Sequence, residues 1–165
     1  MGKHQMKTIL KIAAVTAVLT AAGGALAQTA APAAQVETLN AAAEDWNPFS
    51  RSAVKIYMTD ANAFATTGDV TRVKVARVPL DSPAGDLSYA VDDVEMRCAA
   101  KQSRTVVTTE YGADGAQTDR YDTGEDWGPF TAESRDGYLA QIVCDGDRAS
   151  KTWPSIKAFV DAGRH

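Results

Sequence analysis

Residues 70–78 read VTRVKVARV. Val73 and Val75 alternate with Arg72 and Lys74, a period of two that sets apolar side chains on one face of a β-strand and basic ones on the other. The alternation slips by one residue at Ala76–Arg77, before Val78 and Leu80, which predicts a β-bulge or a strand end there. Upstream, VKIYM (54–58) repeats the period, with Val54, Ile56 and Met58 on one face and Lys55 and Tyr57 opposite. TDANAFATTGD (59–69) supplies turn residues between the two runs. Downstream, DSPAGD (81–86) reads as a loop, LSYAV (87–91) as a short strand and VEMRCA (94–99) as another. In the latter Val94, Met96 and Cys98 share a face while Glu95 and Arg97 point away. RTVVTTEY (104–111) and AQTDRYD (116–122), separated by GADG, read as a hairpin.

Beyond residue 131 the period becomes helical. AESRDGYLAQIVC (132–144) spaces Leu139, Ile142 and Val143 on one side, with Tyr138 beside Ile142 and Gly146 as a stop. WPSIKAFVDAG (153–163) predicts a second helix, with Pro154 in its first turn, an apolar stripe of Trp153, Ile156, Phe159 and Val160, and Gly163 as its stop. Strands in a run followed by helices predict an α+β fold, an antiparallel sheet of about five or six strands with one or two C-terminal helices.

Cys98 lies on the apolar face of its strand and Cys144 follows the apolar face of the first helix, so a bridge between them would tether helix to sheet. On the chain-entropy account, closing that loop stabilises the fold by about 4 kcal/mol. A redox role would call for C-x-x-C spacing, which the pair lacks.

The N-terminus predicts the compartment. Lys3, Lys7 and Lys11 lead into an alanine-rich apolar run from Ile12 to Ala22, followed by GGALAQ, the pattern of a secretory signal peptide cleaved after Ala27. The apolar run is shorter than the ~20 residues a bilayer span needs, so no membrane span is expected after cleavage. No cysteine sits at the cleavage site, so no lipid anchor is expected there. Residues 28–45, rich in alanine and proline, read as a linker, and residues 46–165 as the folded domain. The signal removes three of the 17 lysines and arginines and none of the 21 acidic residues, leaving 14 against 21 and a formal charge of −7. That balance argues against nucleic acid as a partner.

Catalytic constellations are missing from the pattern. Of the two histidines, His4 lies in the signal and His165 is the last residue, which leaves no base or imidazole ligand inside the fold. Neither a metal nor a cofactor is expected, and the chain is not expected to be an enzyme. The acidic groups Asp92–Asp93–Glu95, Glu125–Asp126 and Asp145–Asp147 lack a calcium-loop pattern and read as solvated turns.

The arrangement resembles the bacterial surface-adhesin protein E-like domain family over roughly Trp46 to Cys144. The resemblance rests on Trp46 ahead of the first strand, YMTDANAFATTGDVTRVKV (57–75), MRCAAKQSR (96–104), the strand end TEY (109–111), and WGPFTAES (127–134) leading into a helix that ends IVC (142–144). It implies a secreted or envelope domain whose helix is disulfide-tethered to a curved antiparallel sheet and, as in the namesake adhesin, binding to host matrix proteins. The namesake is lipid-anchored, which departs from the cleavage site here, and no ligand-binding segment carries over residue by residue.

One further pattern is a near-repeat, EDWNPFS (44–50) and EDWGPFT (125–131). Their flanks do not match and no third copy exists, so duplication is not the reading. The favoured expectation is two packing wedges that cover the ends of the sheet, with Trp127 the more firmly buried because it precedes the tethered helix. The alternative is a pair of exposed recognition loops, and on it Trp46, Phe49, Trp127 and Phe130 are the candidate binding residues. Together these features predict a periplasmic or secreted, non-enzymatic binding module of the bacterial envelope with a protein partner, a homodimer being open as well. The alternative is a small periplasmic inhibitor or ligand carrier acting on a cationic target, suggested by the net charge.

Overall fold

Strand pairing in the computed structural model runs through eight antiparallel strands, and residues 43–165 are the ones it describes. The signal peptide read over residues 1–27, and residues 28–42 of the linker, lie outside the described residues. The strands are β1 (Trp46–Arg51), β2 (Lys55–Asp60), β3 (Ala65–Thr67), β4 (Val70–Pro79), β5 (Tyr89–Arg97), β6 (Gln102–Tyr111), β7 (Gln117–Asp122) and β8 (Gly128–Pro129). They form one sheet in the order β1-β2-β4-β5-β6-β7, with β3 on β4 in line with β2, and β8 on β6 in line with β7. Two short helices follow, α1 (Arg135–Val143) and α2 (Ile156–Asp161). The α+β expectation is met in its coarser form, as a mainly antiparallel sheet with two short helices added.

β4 continues through Ala76–Arg77 without a bulge or an end, in regular register with β2 (Met58↔Ala76, Ile56↔Val78) and with β5 (Val73↔Val94, Ala76↔Val91). The slip in the sequence has another cause. Val73 and Val75 face one side of the sheet, where Val94, Met96 and, from α1, Leu139 and Ala140 pack on them. Ala76 and Val78 face the other side, against Ile56, Met58 and Trp46, and against Ile156, Phe159 and Val160 of α2. The helices cover opposite faces at opposite ends of the central strands, so the buried face of β4 changes sides halfway along. Met58, Val73, Ala76, Val78 and Met96 are fully buried by this arrangement. Each large apolar side chain so buried contributes about 1.5–3 kcal/mol.

The extra residues that bulge the sheet lie elsewhere. Phe49 is the unpaired residue between Pro48↔Met58 and Ser50↔Tyr57, Val106 the one between Asp93↔Val107 and Val94↔Thr105, and Thr118 the one between Glu110↔Asp119 and Tyr111↔Gln117. LSYAV and VEMRCA do not make two strands, because Asp92 and Asp93 continue the ladder and β5 is unbroken from Tyr89. The first Trp motif does not precede the first strand; it is β1. ATT (65–67) adds β3, closed onto β4 by a two-residue turn in which Gly68 takes φ +62°. Val54, expected to share a buried face with Ile56, lies outside β2 and is exposed.

α1 starts at Ser134, whose hydroxyl accepts from Gly137 N at 3.0 Å. Gly137 is buried so closely that a Cβ there would lie 2.0 Å from Thr131 O and 2.6 Å from Ala132 O. The far end of α1 is tied by the Cys98–Cys144 disulfide, Cα atoms 5.7 Å apart, which joins helix to sheet as the facing of the two cysteines predicts. α2 starts at Ser155, which accepts from Ala158 N at 3.0 Å. Trp153 and Pro154 therefore precede the helix instead of opening it. Trp153 exchanges backbone hydrogen bonds with Trp46, N to O at 2.9 and 3.0 Å, and so extends the sheet beyond β1. Beyond α2 the buried Arg164 side chain donates to the carbonyls of Ser82, Pro83 and Asp86, fastening the tail to the β4–β5 loop.

Candidate binding site

With each helix covering one end of one face, the Val70 end of the α2-bearing face is open among the described residues. Register places Arg72, Glu95 and Arg104 side by side across β4, β5 and β6 in that opening. Glu95 is the hub. Its Oε1 accepts from Arg72 Nη2 at 2.5 Å, and its Oε2 from Arg104 Nε and Nη2 at 2.9 and 2.7 Å. The hydrogen bond from Arg72, followed by those from Arg104, outweighs burial and holds the Glu95 carboxyl below the usual glutamate range. Arg97, two residues along the same face of β5, has Nε 3.5 Å from Asp69 Oδ2, whose side chain is 77% exposed on the β3–β4 turn.

Trp127 is the lid of this cluster. Arg97 Cζ lies 4.0 Å and Arg104 Cζ 4.6 Å from its ring centroid, within cation–π range. The second Trp motif puts it there by joining the sheet: Gly128 and Pro129 pair with Ser103 and Gln102, and Phe130 N donates to Lys101 O at 3.0 Å. The Glu125 carboxylate accepts from Thr105 N at 2.9 Å and pins the approach. The resulting cleft, of about 450 Å³, is walled by Arg72, Glu95, Arg97, Arg104 and Trp127, with Ala65, Thr67 and Val70 along its side.

Its chemistry is that of an oxyanion receptor. Each guanidinium carries five N–H donors, yet the three arginines make only the three hydrogen bonds to Glu95, and Arg97 makes none among the described residues. Three positive charges face the Glu95 and Asp69 carboxylates on a chain whose formal charge is negative overall. Among these five groups one positive charge is in excess, with Asp93 close to Arg72 and Glu125 and Asp126 close to Arg104.

The four aromatic candidates do not form one site. Trp46, 4% exposed, belongs to the core beneath α2, and its Nε1 donates to Glu44 Oε2 at 2.8 Å. Phe49 packs on the α1 side with Tyr57, ring centroids 6.3 Å apart, and Phe130 borders the same cluster. Only Trp127 reaches the cleft. The expected order of burial is reversed, with Trp46 buried and Trp127 half-buried. Trp46 sits in a strand under a helix, whereas Trp127 lies on guanidinium groups outside either apolar cluster. The reading of Asp92, Asp93 and Glu95 as a solvated turn is corrected as well, since all three are in β5. Asp92 is buried on the α1 side, 2.9 Å from Arg77 Nε and accepting from Thr108 Oγ1 at 2.8 Å.

Register is what sequence reasoning lacked. Alternation already separated Glu95 and Arg97 from Val94 and Met96, but only strand order sets Arg72 and Arg104 beside them. Among the described residues no group of three or more His, Cys, Asp or Glu side chains could hold a metal ion, and no helix is long and apolar enough to cross a membrane. No family model, curated protein or solved structure matches the chain.

Proposed function

We propose that the chain is an exported, non-enzymatic binding module of the bacterial envelope, adhesin-like, which holds its protein partner at the Arg72–Arg97–Arg104 cleft under Trp127. The observation that carries this reading is a trio of arginines with most donors unused, lying at the end of the α2-bearing face that no helix covers among the described residues. Arginine and tryptophan are also the side chains most enriched where interfaces concentrate their energy. Export is supported by the N-terminal pattern together with the disulfide, which suits an oxidising compartment. The alternative of an inhibitor directed at a cationic target rests on net charge alone, whereas the cleft offers arginine donors that suit an acidic group. Binding to immobilised extracellular-matrix proteins, compared for wild type, Arg97→Gln, Trp127→Ala and the distant exposed-site control Val54→Ser, tests the proposal. Loss in the first two variants and retention in the control is expected. Equal binding by all four would refute the cleft as the recognition surface.

A further inference from the structure

Resting on that reading of the cleft, we infer that its ligand is an extended acidic peptide segment with carboxylates at alternate positions, and that Asp69 occupies one of the two carboxylate places in the unbound chain. The fold supplies two carboxylate places in a row. At the first, Glu95 sits between Arg72 and Arg104 with full hydrogen bonding. At the second, Asp69 approaches Arg97 Nε only to 3.5 Å, without a hydrogen bond, and its side chain is largely in water. Glu95 is built in, and Asp69 is loosely held and displaceable.

The spacing selects the shape of the ligand. Arg97 and the Arg72–Glu95–Arg104 row are two residues apart along β5, roughly 7 Å on a strand, which is also the repeat between residues i and i+2 of an extended peptide. One carboxylate would replace Asp69 at Arg97, and the next, not entering the place Glu95 keeps, would lie outside it on the unused donors of Arg72, whose side chain is 54% exposed. β3 forms the side wall of the cleft, and all three of its residues are exposed. Arg–carboxylate hydrogen bonds are charge-assisted, which favours this partner over a neutral one.

The test is a calorimetric titration of the full chain with the peptide TETETETET, its matched control TQTQTQTQT, a heparin-derived oligosaccharide and inorganic sulfate, each at two salt concentrations. The acidic peptide should bind, more weakly at high salt, and the glutamine peptide should not. Arg97→Gln should weaken peptide binding by about tenfold or more. Asp69→Asn should tighten it by about two- to fivefold, the size of an exposed ion-pair competitor removed. Asp69 lies on an exposed turn, so that variant keeps the fold, which thermal unfolding checks. Weaker or unchanged binding by Asp69→Asn would overturn its role as competitor. Binding of heparin or sulfate in place of the peptide would overturn the peptide assignment. If no probe binds while matrix capture is still lost in Arg97→Gln, the ligand class is wrong and the recognition face stands; if capture too is unaffected, the face itself is refuted.

Discussion

Replacing each motif tryptophan by alanine separates the two environments that one sequence pattern occupies. Trp46 packs among Ile56, Met58, Val78, Phe159 and Val160, and at 4% exposure its truncation removes nearly the whole side chain from the core. A large buried aromatic replaced by alanine costs about 3–5 kcal/mol. The backbone bonds of residue 46 to Trp153 survive the change, so the loss falls on packing beneath α2. Trp127 is half-buried, outside either apolar cluster, and stands on Arg97 and Arg104; its two cation–π contacts amount to about 1–2 kcal/mol together. At about 4 °C per kcal/mol for a domain of this size, Trp46→Ala should lower the melting temperature by about 12–20 °C and Trp127→Ala by about 4–8 °C. Thermal and urea unfolding with the disulfide intact, followed by circular dichroism, read both. Emission differences should show the Trp46 contribution blue-shifted and shielded from acrylamide, and that of Trp127 more accessible. Equal losses, or the larger loss at Trp127, would refute the assignment of one motif to the core and the other to the cleft.

Gly137→Ala should destabilise by about 3 kcal/mol or more, because the added methyl meets the carbonyls of Thr131 and Ala132 and not a side chain able to swing away; unfolding midpoints check it. Cys98→Ala should cost about 2–5 kcal/mol, and thiol titration of the denatured, unreduced wild type should find none of its two cysteines free. Glu95 carries a pH signature. Its folded pKa lies below the ordinary value of 4.5, so its contribution is complete above about pH 5 and is lost as acid protonates it in the folded chain. The Glu95→Gln variant should therefore be less stable than wild type at neutral pH, and the gap should narrow toward pH 3 in urea titrations; a gap independent of pH would contradict the arginine pairing. Asp92→Ala should cost about 3–5 kcal/mol by leaving Arg77 without its buried partner.

Near-identical heptads met different fates, and the difference shows what a sequence leaves out. EDWNPF became an edge strand whose Trp is roofed by α2, a helix over a hundred residues away in the chain, and by a backbone bridge to Trp153. EDWGPF contributes a two-residue strand on the opposite edge, where α2 does not reach. Local pattern sufficed for most strands, for the bulk of α1 and for the disulfide, because alternation, caps and facing are local quantities. Coverage is not local. At Ala76–Arg77 the alternation broke because the element packed against β4 changes from α1 on one face to α2 on the other, and a strand read alone cannot distinguish that from a bulge. The same exchange leaves diagonal corners of the sheet uncovered among the described residues, and arginines and acids that looked like ordinary solvent-facing positions of separate strands converge in one of them. A cleft built from the polar half of an amphipathic pattern is invisible until register is known. Yet it follows from the apolar half, since fixing which face each helix buries also fixes which polar residues remain open together.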